Sequence, residues 1–478
     1  MRTKLFIANE WRAAASGATF PVVNPATEEV LAEVAGAGSA DVDAAAAAAR
    51  RCFESDEWRG TSGRHRGRLL ARAADLLEAQ MDELARVESQ QNGKTLFEAK
   101  IEIGMVGQVL RYYAGWADKI GGETLPVEGP YLAYTRREPI GVVGAIVPWN
   151  FPLNLASWKL APALAAGCPV ILKPASETPL TAFLAAEILQ TAGFPPGAFQ
   201  VLPGGGEEAG GALVRHPGVD KITVTGSTAV GRRVMALAAE TNKRVTLELG
   251  GKSPNIVFAD ADLDAAVKGA LNGIFYSKGE VCAAGSRLLV EESVHAEVVA
   301  RLAERARSLT IGDPLAKGTR LGAVVSKRQQ ETVLGYIAAG IREGARLVAG
   351  GRAATHAGKG WFVEATVFDG VTPDMTIARE EIFGPVLAVL GFEDEAQAVH
   401  LANETRYGLA AGIWTRDVGK AHRVAQAIRA GTVWINAYNA YDPAAPFGGF
   451  KASGFGRDLG REALDGFLET KTIWVGLR

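Results

Sequence analysis

The first hundred residues carry apolar positions at helical spacing. Leucines recur about every seven residues, or two helical turns, at Leu69, Leu70, Leu76, Leu77 and Leu84. This pattern predicts one long helix that Thr61 or Ser62 caps at its start and that ends near Gly93. A preceding run of alanines predicts another helix, with Asp41 as its N-cap and its end near Phe53.

From Ile140 onwards, short β-branched runs alternate with helical segments. Leu153–Ala166 is one predicted helix, and Pro179 fits the first helical position of the next, with Thr178 as its N-cap. The runs between the helices predict the strands Gly141–Val147, Pro169–Leu172, Phe199–Leu202, Lys221–Val224 and Arg244–Leu249. This alternation indicates a parallel sheet in a doubly wound α/β domain.

A second set of strand–helix units extends from about Gly250 to Asn436. The Gly250-Gly251 turn is therefore the expected crossing between two such domains. The final run, Leu468–Val475, predicts a terminal strand that can pair with another subunit. A length of 478 residues agrees with two or three domains.

The composition excludes several classes of function. The formal net charge is −2, which gives no basic field for nucleic acid. No apolar run approaches the roughly 18 residues that a membrane span needs, and the apolar stretch at the start is too short for a signal peptide. We therefore expect a cytoplasmic protein without a membrane or nucleic-acid partner.

The cysteines lie far apart, at Cys52, Cys168 and Cys282. This spacing predicts no disulfide framework and leaves room for one reactive thiol. Alone, each is more typical of a small buried hydrophobic residue, although the small neighbours of Cys282 leave space for an electrophile. The six histidines form no H-x-x-x-H cluster, so no metal site is expected.

Three other features suit chemistry, and each has an ordinary structural explanation as well. The segment Gly226-Ser227-Thr228-Ala229-Val230-Gly231 follows a predicted strand and opens a helix, where N–H groups can approach a phosphate. A plain strand–helix turn explains it equally. Lys173 ends a buried strand and is either a ligand for a ribose or phosphate or a solvated lysine. Glu248 ends another strand and is either a helix cap or a base.

Taken in order, these segments resemble the aldehyde dehydrogenase superfamily nearly from end to end. The matching motifs are Pro148-Trp149-Asn150-Phe151-Pro152, Lys173-Pro174-Ala175, Gly226-Ser227-Thr228, Glu248-Leu249-Gly250-Gly251-Lys252, Cys282, Glu381-Ile382-Phe383-Gly384-Pro385 and Pro446-Phe447-Gly448-Gly449. The resemblance implies an α/β fold with two doubly wound Rossmann-like domains and a small β oligomerisation domain.

The resemblance also implies the domain bounds and the assembly. The NAD(P)-binding domain would comprise 1–118 and 138–249, and the catalytic domain 250–450. The segments 119–137 and 466–478 would bridge subunits, so a homodimer or homotetramer is expected.

The implied activity is oxidation of an aldehyde to the carboxylic acid with NAD or NADP. Cys282 would add to the carbonyl to give a thiohemiacetal, which the nicotinamide oxidises to a thioester. Asn150, with the backbone N–H of Cys282, would hold the oxyanion, and Glu248 would be the general base for hydrolysis. The implied cofactor contacts are Ile146, Trp149, Lys173, Ser176, Gly226, Ser227, Leu249, Glu381 and Phe383.

The implied substrate tunnel is mostly apolar and aromatic, with the lining residues Phe151, Asn154, Trp158, Val281, Tyr441 and Phe447. This lining favours aromatic or medium aliphatic aldehydes, because it offers no arginine for a carboxylate and no evident cage for a quaternary ammonium. The segment 444–450 is similar to phenylacetaldehyde-type relatives. A semialdehyde dehydrogenase and a CoA-acylating enzyme are the alternatives, and Glu248 argues against the second.

The chain departs from the common family pattern at three places. Ser277-Lys278-Gly279-Glu280 replaces Asn-Gln-Gly-Gln before the nucleophile. Glu280 would raise the pKa of the thiol if it pointed inward, whereas we expect it to face solvent or pair with Lys278. Asp458 replaces a longer glutamate, which leaves a second proton-relay carboxylate open.

The third departure concerns the cofactor. Ser176 stands where NAD-preferring relatives often carry a glutamate that repels the 2′-phosphate of NADP. The serine therefore predicts that NADP is accepted, although the neighbouring Glu177 can supply the same negative charge.

Overall fold

The computed structural model describes residues 2–477; Met1 and Arg478, the outermost residues of the predicted segments, lie outside the described residues. The strands β1–β22, in chain order, are Leu5–Ile7, Glu10–Arg12, Thr19–Val23, Val30–Ala35, Thr124–Leu125, Tyr131–Pro139, Val143–Ile146, Val170–Lys173, Phe199–Val201, Lys221–Thr225, Arg244–Glu248, Pro254–Val257, Arg287–Glu291, Arg346–Ala349, Ala353–His356, Lys359–Val363, Thr366–Asp369, Val386–Phe392, Ala410–Trp414, Thr432–Ile435, Gly454–Phe455 and Leu468–Gly476.

The helices α1–α16 are Ser39–Glu54, Asp56–Arg59, Gly63–Ala79, Met81–Asn92, Leu96–Trp116, Pro152–Ala166, Leu180–Ala192, Ala212–Arg215, Thr228–Ala239, Leu263–Phe275, Glu292–Arg307, Lys327–Arg342, Thr376–Arg379, Glu395–Asn403, Val418–Ala427 and Gly460–Asp465. Gly206–Gly211 forms a π-helical turn, and Tyr276–Gly279 and Lys451–Ser453 form 3₁₀ turns.

The first sheet has the strand order β2-β1-β9-β8-β7-β10-β11-β21. Its five central strands, β9, β8, β7, β10 and β11, are parallel. From β7 the chain builds outward through β8 and β9 on one side and then through β10 and β11 on the other. The direction of winding thus reverses between β7 and β10, and such a reversal opens a crevice at the carboxyl ends of the strands.

The second sheet has the strand order β14-β17-β18-β13-β12-β19-β20. All its neighbours pair in parallel except β14 with β17. Residues 249–253 join β11 of the first sheet to β12 of the second, so the chain changes sheets at the predicted Gly250-Gly251 turn. Strand β21 later returns to the first sheet beside β11.

A third, antiparallel sheet has the order β22-β6-β5. Strand β22 pairs with β6 from Leu468 opposite Pro139 to Gly476 opposite Tyr131. The predicted terminal strand is present, and its partner in the structure is β6 of its own chain. The predicted α/β fold, with two doubly wound sheets and a small β domain, is confirmed.

Helix α6 lies at the centre of the first domain and is apolar on all sides. Of its residues only Asn154 is partly exposed. It packs against α3, α5 and β7, because a helix that is apolar all round must bury every face. The charged Lys159 in its middle is 1% exposed, so its ammonium needs a partner inside the protein.

The predicted long helix from Ser62 to Gly93 is wrong in one respect. The side chain of Ser62 caps α3, and Gly93, with φ of 85°, ends α4. Between them, however, the chain breaks at Gln80, with φ of −109° and ψ of 14°. The leucine repeat continues across the break because both helices bury the same side of the chain, and neither Gly nor Pro marks the position.

Two predicted caps are displaced along the chain. Gly38 is the N-cap of α1, and Asp41, in its first turn, accepts a hydrogen bond from the Gly38 N–H at 3.0 Å. Helix α7 begins at Leu180, so Pro179 is its N-cap and not its first helical residue. At Asp41 the predicted chemistry holds, since the carboxylate still satisfies a free N–H at the helix start.

Candidate active site

The predicted cofactor residues lie at the carboxyl ends of four adjacent strands of the first sheet. Ile146 ends β7, Lys173 ends β8, Gly226 follows β10, and Leu249 follows β11. Since β7 and β10 flank the reversal of winding, these positions border the crevice where doubly wound sheets bind ligands. The structure thus brings these four predicted residues together along one edge of the first sheet.

Cys282 lies between the 3₁₀ turn Tyr276–Gly279 and β13. Its side chain is partly exposed, whereas its neighbours Val281 and Ala283 are buried. Burial of the thiol, followed by the negative charges of Glu381 and Glu248, raises its pKa to about 12, against the backbone N–H groups of Ala283 and Cys282. Cys282 is therefore a neutral thiol at rest that two carboxylates face.

The raised pKa makes alkylation of Cys282 strongly pH-dependent. Below the pKa the thiolate fraction grows about tenfold per pH unit. In the protein without cofactor, we expect the iodoacetamide rate constant to rise about tenfold per pH unit, or about 100-fold between about pH 7 and pH 9.

The Cys282→Ala variant measures the background from Cys52 and Cys168, which are buried and whose pKa values are raised to about 12 and about 11. A rate that levels off near neutral pH would contradict the raised pKa.

Asn150 is held by contacts on both its main chain and its side chain. Its Nδ2 donates to the Glu280 carbonyl at 3.0 Å, two residues before Cys282. Its own carbonyl accepts from Lys94 Nζ at 2.7 Å. The Asn150 amide is 2% exposed, and the Nδ2 bond turns its N–H groups towards the Cys282 segment. The amide nitrogen carries a second N–H, which can donate to an oxygen held beside Cys282.

Glu248 ends β11 and is 5% exposed. Neither of its carboxylate oxygens makes a hydrogen bond of good geometry within residues 2–477. Burial, followed by the charge of Asp458, raises its pKa well above the usual range, and Lys159 and Arg457 oppose this rise. A buried carboxyl with a raised pKa, whose oxygens make no such bond, has the chemistry of a general base.

Asp458 fills the position that the sequence left open. Its Oδ2 pairs with Lys159 Nζ at 2.7 Å, and both side chains are buried. The charge of Asp458 acts on Glu248. A second carboxylate therefore lies next to the predicted base, joined to the lysine of α6.

Glu280 does not face solvent. It is fully buried, and its carboxylate pairs with Lys278 Nζ at 3.0 Å. The predicted pairing is confirmed, and the solvent-facing alternative is wrong. The carboxylates that raise the pKa of Cys282 are those of Glu381 and Glu248.

The two predicted ribose ligands are both largely enclosed. Lys173 is 7% exposed, and its Nζ donates to the Pro174 carbonyl at 3.1 Å. Burial lowers its pKa, against the charges of Glu177 and Glu208. Burial raises the pKa of Glu381 to about 7, although its carboxylate accepts a bond from the Gly251 N–H at 3.1 Å.

The remaining cofactor positions differ in exposure. Ser227 is exposed and caps α9, with its side chain accepting from the Val230 N–H. Ser176 is half-buried, and its Oγ donates to the Gly204 carbonyl at 3.1 Å. Trp149 and Phe383 meet edge to face, with ring centroids 5.2 Å apart.

The predicted tunnel residues form an aromatic cluster. Trp158, Tyr441 and Phe447 contact one another with ring centroids 5.6–6.2 Å apart. Asn154 accepts a hydrogen bond from Trp158 Nε1 at 3.1 Å. Burial, followed by the negative charge that Cys282 would carry as a thiolate, raises the pKa of the Tyr441 hydroxyl, so this cluster lies near the thiol.

Sequence reasoning missed several residues of the site. Tyr276 stacks on Phe151 with centroids 6.3 Å apart, and Lys94 holds the main chain of Asn150. A signal existed for Lys159, because it is the one charged residue in the apolar helix α6. No comparable signal marked Tyr276 or Lys94.

No group of three or more His, Cys, Asp or Glu side chains within residues 2–477 is arranged to hold a metal ion. None of the helices in this range is long and apolar enough to cross a membrane.

A family model described as the aldehyde dehydrogenase family matches residues 11–473. The chain belongs to this family. It is 50% identical to retinal dehydrogenase 2 of Mus musculus over 476 residues, which cover 99% of the chain and 92% of the relative. It is 48% identical to the mitochondrial aldehyde dehydrogenase of Homo sapiens over 475 residues, with the same coverage of 99% and 92%.

A solved structure of a family member has the same fold. The NAD⁺ complex of an aldehyde dehydrogenase from Bacillus cereus superposes with a TM-score of 0.98 at 49% identity, covering 100% of this chain and 97% of that one. The chain is thus an aldehyde-oxidising oxidoreductase with a Rossmann-type nucleotide-binding fold.

Proposed function

We propose that the chain oxidises aromatic or medium aliphatic aldehydes to carboxylic acids by a hydrolytic mechanism. The observation that carries this proposal is the grouping of a partly exposed thiol, a fixed amide and a buried carboxyl with free oxygens. Cys282 is the nucleophile, Asn150 the oxyanion donor and Glu248 the general base.

In the first step the partly exposed Cys282 thiol gives up its proton to solvent. The thiolate adds to the aldehyde carbon, and the carbonyl oxygen takes the negative charge. Asn150 Nδ2 and the backbone N–H of Cys282 donate to that oxygen, and one such donor contributes about 3 kcal/mol to the transition state. NAD(P)⁺, when bound, supplies the two-electron acceptor that turns the thiohemiacetal into a thioester.

In the second step water attacks the thioester. Glu248 removes a proton from the water, whose oxygen adds to the thioester carbon. The C–S bond then breaks, which releases the carboxylic acid and the Cys282 thiolate, and the thiolate takes up a proton to restore the thiol. The pair of Asp458 and Lys159 lies next to Glu248 and can pass that proton on, so Asp458 serves as a second carboxylate in place of the longer glutamate.

The residues of the crevice fit a dinucleotide. The buried ammonium of Lys173 has a single backbone acceptor and would hold one ribose, while Glu381 would hold the other. Ser227 at the start of α9 would bind the pyrophosphate, since a helix N-terminus favours anions. Ile146, Trp149, Leu249 and Phe383 would enclose the rings. The Bacillus cereus relative was solved with NAD⁺, which supports NAD as a cofactor.

Some residues near Lys173 favour binding of NADP, and others oppose it. Ser176 removes one carboxylate, whereas Glu177 and Glu208 act on Lys173. We expect wild-type dissociation constants for NAD⁺ and NADP⁺ within about tenfold of each other, and Ser176→Glu to weaken NADP⁺ binding about 100-fold by repulsion of the 2′-phosphate. Isothermal titration calorimetry measures both.

The matched control is Glu177→Gln, which removes a neighbouring charge without adding one. It is expected to tighten NADP⁺ binding and to leave NAD⁺ binding unchanged. A thousandfold preference of the wild type for NAD⁺ would contradict the role given to Ser176.

The substrate class follows from the cluster Trp158, Tyr441 and Phe447. These rings present apolar faces beside Cys282, and the predicted tunnel residues include neither arginine nor lysine, so a substrate carboxylate finds no partner there. The relative named for retinal, an extended apolar aldehyde, supports this choice. A semialdehyde with a terminal carboxylate is the alternative.

The test of this function is an aldehyde panel read by the absorbance of the reduced nicotinamide. Each aldehyde is run with NAD⁺ and with NADP⁺, without CoA. Aromatic and medium aliphatic aldehydes are expected to give the highest kcat/KM. Higher values for carboxylate-bearing semialdehydes would favour the alternative, and turnover that requires CoA would show that Glu248 is not the base of hydrolysis.

We further propose the domain bounds, assembly and location implied by the sequence. The segments 119–137 and 466–478 contain all of the third sheet except the last two residues of β6. The surface of this sheet exposes apolar side chains, namely Tyr131, Leu132, Trp474 and Val475. Assembly into a homodimer or homotetramer would cover these side chains. The proposed location of this assembly is the cytoplasm. Mass measurement in solution tests the assembly, and a monomer would refute it.

A further inference from the structure

The turn that precedes the nucleophile has an unusual backbone. Ser277, Lys278 and Gly279 have φ values of 47°, 60° and 70°, so three successive residues are left-handed. In this conformation Cβ crowds the following carbonyl, which disfavours serine and lysine. At Gly279 a Cβ would stand 2.2 Å from the Gly384 carbonyl oxygen. Such a turn persists only where its surroundings hold it.

A buried ion pair spans this turn. Lys278 Nζ and a Glu280 carboxylate oxygen are 3.0 Å apart, and both side chains are at most 1% exposed. The other Glu280 oxygen accepts from the Val325 N–H at 3.0 Å. Lys278 Nζ also donates to Asn92 Oδ1 at 2.7 Å. Both ends of the pair are thus fixed to other parts of the fold.

Both ends also connect to the oxyanion residue. The Glu280 carbonyl accepts from Asn150 Nδ2 at 3.0 Å. Asn92, which binds Lys278, donates from its Nδ2 to the Trp149 carbonyl at 2.8 Å. The ion pair therefore closes a ring of contacts from the Cys282 segment to Trp149 and Asn150 and back.

Stability alone does not account for this pair. Two charges buried together are often no more stabilising than a neutral pair of the same size, whereas removing one partner leaves a costly unpaired charge. A pair that contributes little net stability can still fix one geometry. Here the fixed geometry is that of the segment carrying the nucleophile.

We propose that the Lys278–Glu280 ion pair is a positioning device, which holds the left-handed turn and thereby aims the Asn150 amide and Cys282 at the same carbonyl. The inference rests on the role of Asn150 in the proposed function. Lys278 and Glu280 touch no reacting atom and act through Asn150 and Cys282.

The first test compares Lys278→Gln, Glu280→Gln and the double variant, with kcat expressed per Cys282 thiol titrated. Each single variant is expected to lose about 10- to 100-fold in kcat, with the aldehyde KM within about threefold. The double variant, which pairs two neutral amides, is expected to return to within about threefold of the wild type.

The matched control is Asp369→Asn. Asp369, at the end of β17 in the second sheet, is 3% exposed and pairs with His295 of α11 at 2.6 Å. Its loss is expected to lower the Tm and to leave kcat per titrated thiol unchanged. If Lys278→Gln and Glu280→Gln behave in the same way, the pair is only structural and the inference is overturned.

The second test combines Glu280→Gln with Asn150→Ala. Because Glu280 acts in part through Asn150, the double variant is expected to lose less kcat than the product of the two single losses; fully additive losses would overturn the inference. Full activity of Asn150→Ala would instead overturn the proposed oxyanion role. If the single charge variants do not fold, Asn92→Ser is measured instead, because it breaks the ring of contacts without burying an unpaired charge. A fall in its kcat per titrated thiol supports the inference, and an unchanged kcat overturns it.

Discussion

Cys282→Ala is expected to lower aldehyde oxidation by about 10⁵-fold or more, because no other group in the site can form the covalent intermediate. The alanine keeps the volume close to that of the thiol, and the site is partly exposed, so the fold should persist. The measurement is kcat with the best aldehyde of the panel, alongside hydrolysis of an activated ester. Both activities are expected to disappear together, since both need the thiolate.

The matched control is Cys168→Ala. This thiol is fully buried and donates to the Phe467 carbonyl at 3.4 Å; it lies just before the amino end of β8, opposite the strand end that carries Lys173. We expect Cys168→Ala to keep kcat within about twofold of the wild type, because a small change of core packing away from the site affects stability more than catalysis. If Cys282→Ala oxidises the aldehyde much faster than the expected loss of about 10⁵-fold allows, the enzyme uses a different nucleophile.

The sequence could predict which cofactor motifs share one edge of the first sheet, because these motifs lie at strand ends. Lys173, Gly226 and Leu249 come at the ends of runs whose β-branched composition identifies them as strands, and parallel strands bring their carboxyl ends to one edge. The order of the strands was not needed for this result. The strand order explains why residues that are far apart in the sequence lie close together in space.

What the sequence could not predict depends on contacts between distant segments. The break at Gln80 has no glycine or proline to mark it, and the leucine repeat continues across it, so only packing against other helices distinguishes one helix from two. Likewise, the burial of Glu280 follows from its bonds to Val325 and Lys278, and the first of these partners is 45 residues away.

The role of Asp458 also depends on a contact between distant segments that the sequence does not show. The shorter side chain left its function open in the sequence, because reach cannot be judged without the distance to a partner. Lys159, on α6, meets it at 2.7 Å. The lysine was visible as a charge in an apolar helix, so the two observations together would have predicted the pair, although neither does so alone.

Glu248→Gln is expected to stop the reaction after the first turnover. The glutamine cannot take a proton from water, so hydrolysis of the thioester should slow by about 10²- to 10⁴-fold, while addition to the aldehyde continues. Rapid-mixing measurements should then show a burst of about one reduced cofactor per Cys282, followed by a slow steady state. A small added nucleophile such as hydroxylamine, which needs no base, is expected to restore turnover.

The pH dependence gives this prediction a second, independent readout. The pKa of Glu248 is raised by burial and by Asp458, and the carboxyl acts as a base only when it is deprotonated. The wild-type kcat should therefore rise with pH through that raised pKa, and the variant should lose this rise. Asp458→Asn removes a neighbouring negative charge, so it should lower the pKa of Glu248 and shift the rise to lower pH. An unchanged profile in Glu248→Gln would assign the rise to Cys282, whose pKa is also raised, and would leave the base of hydrolysis to another group.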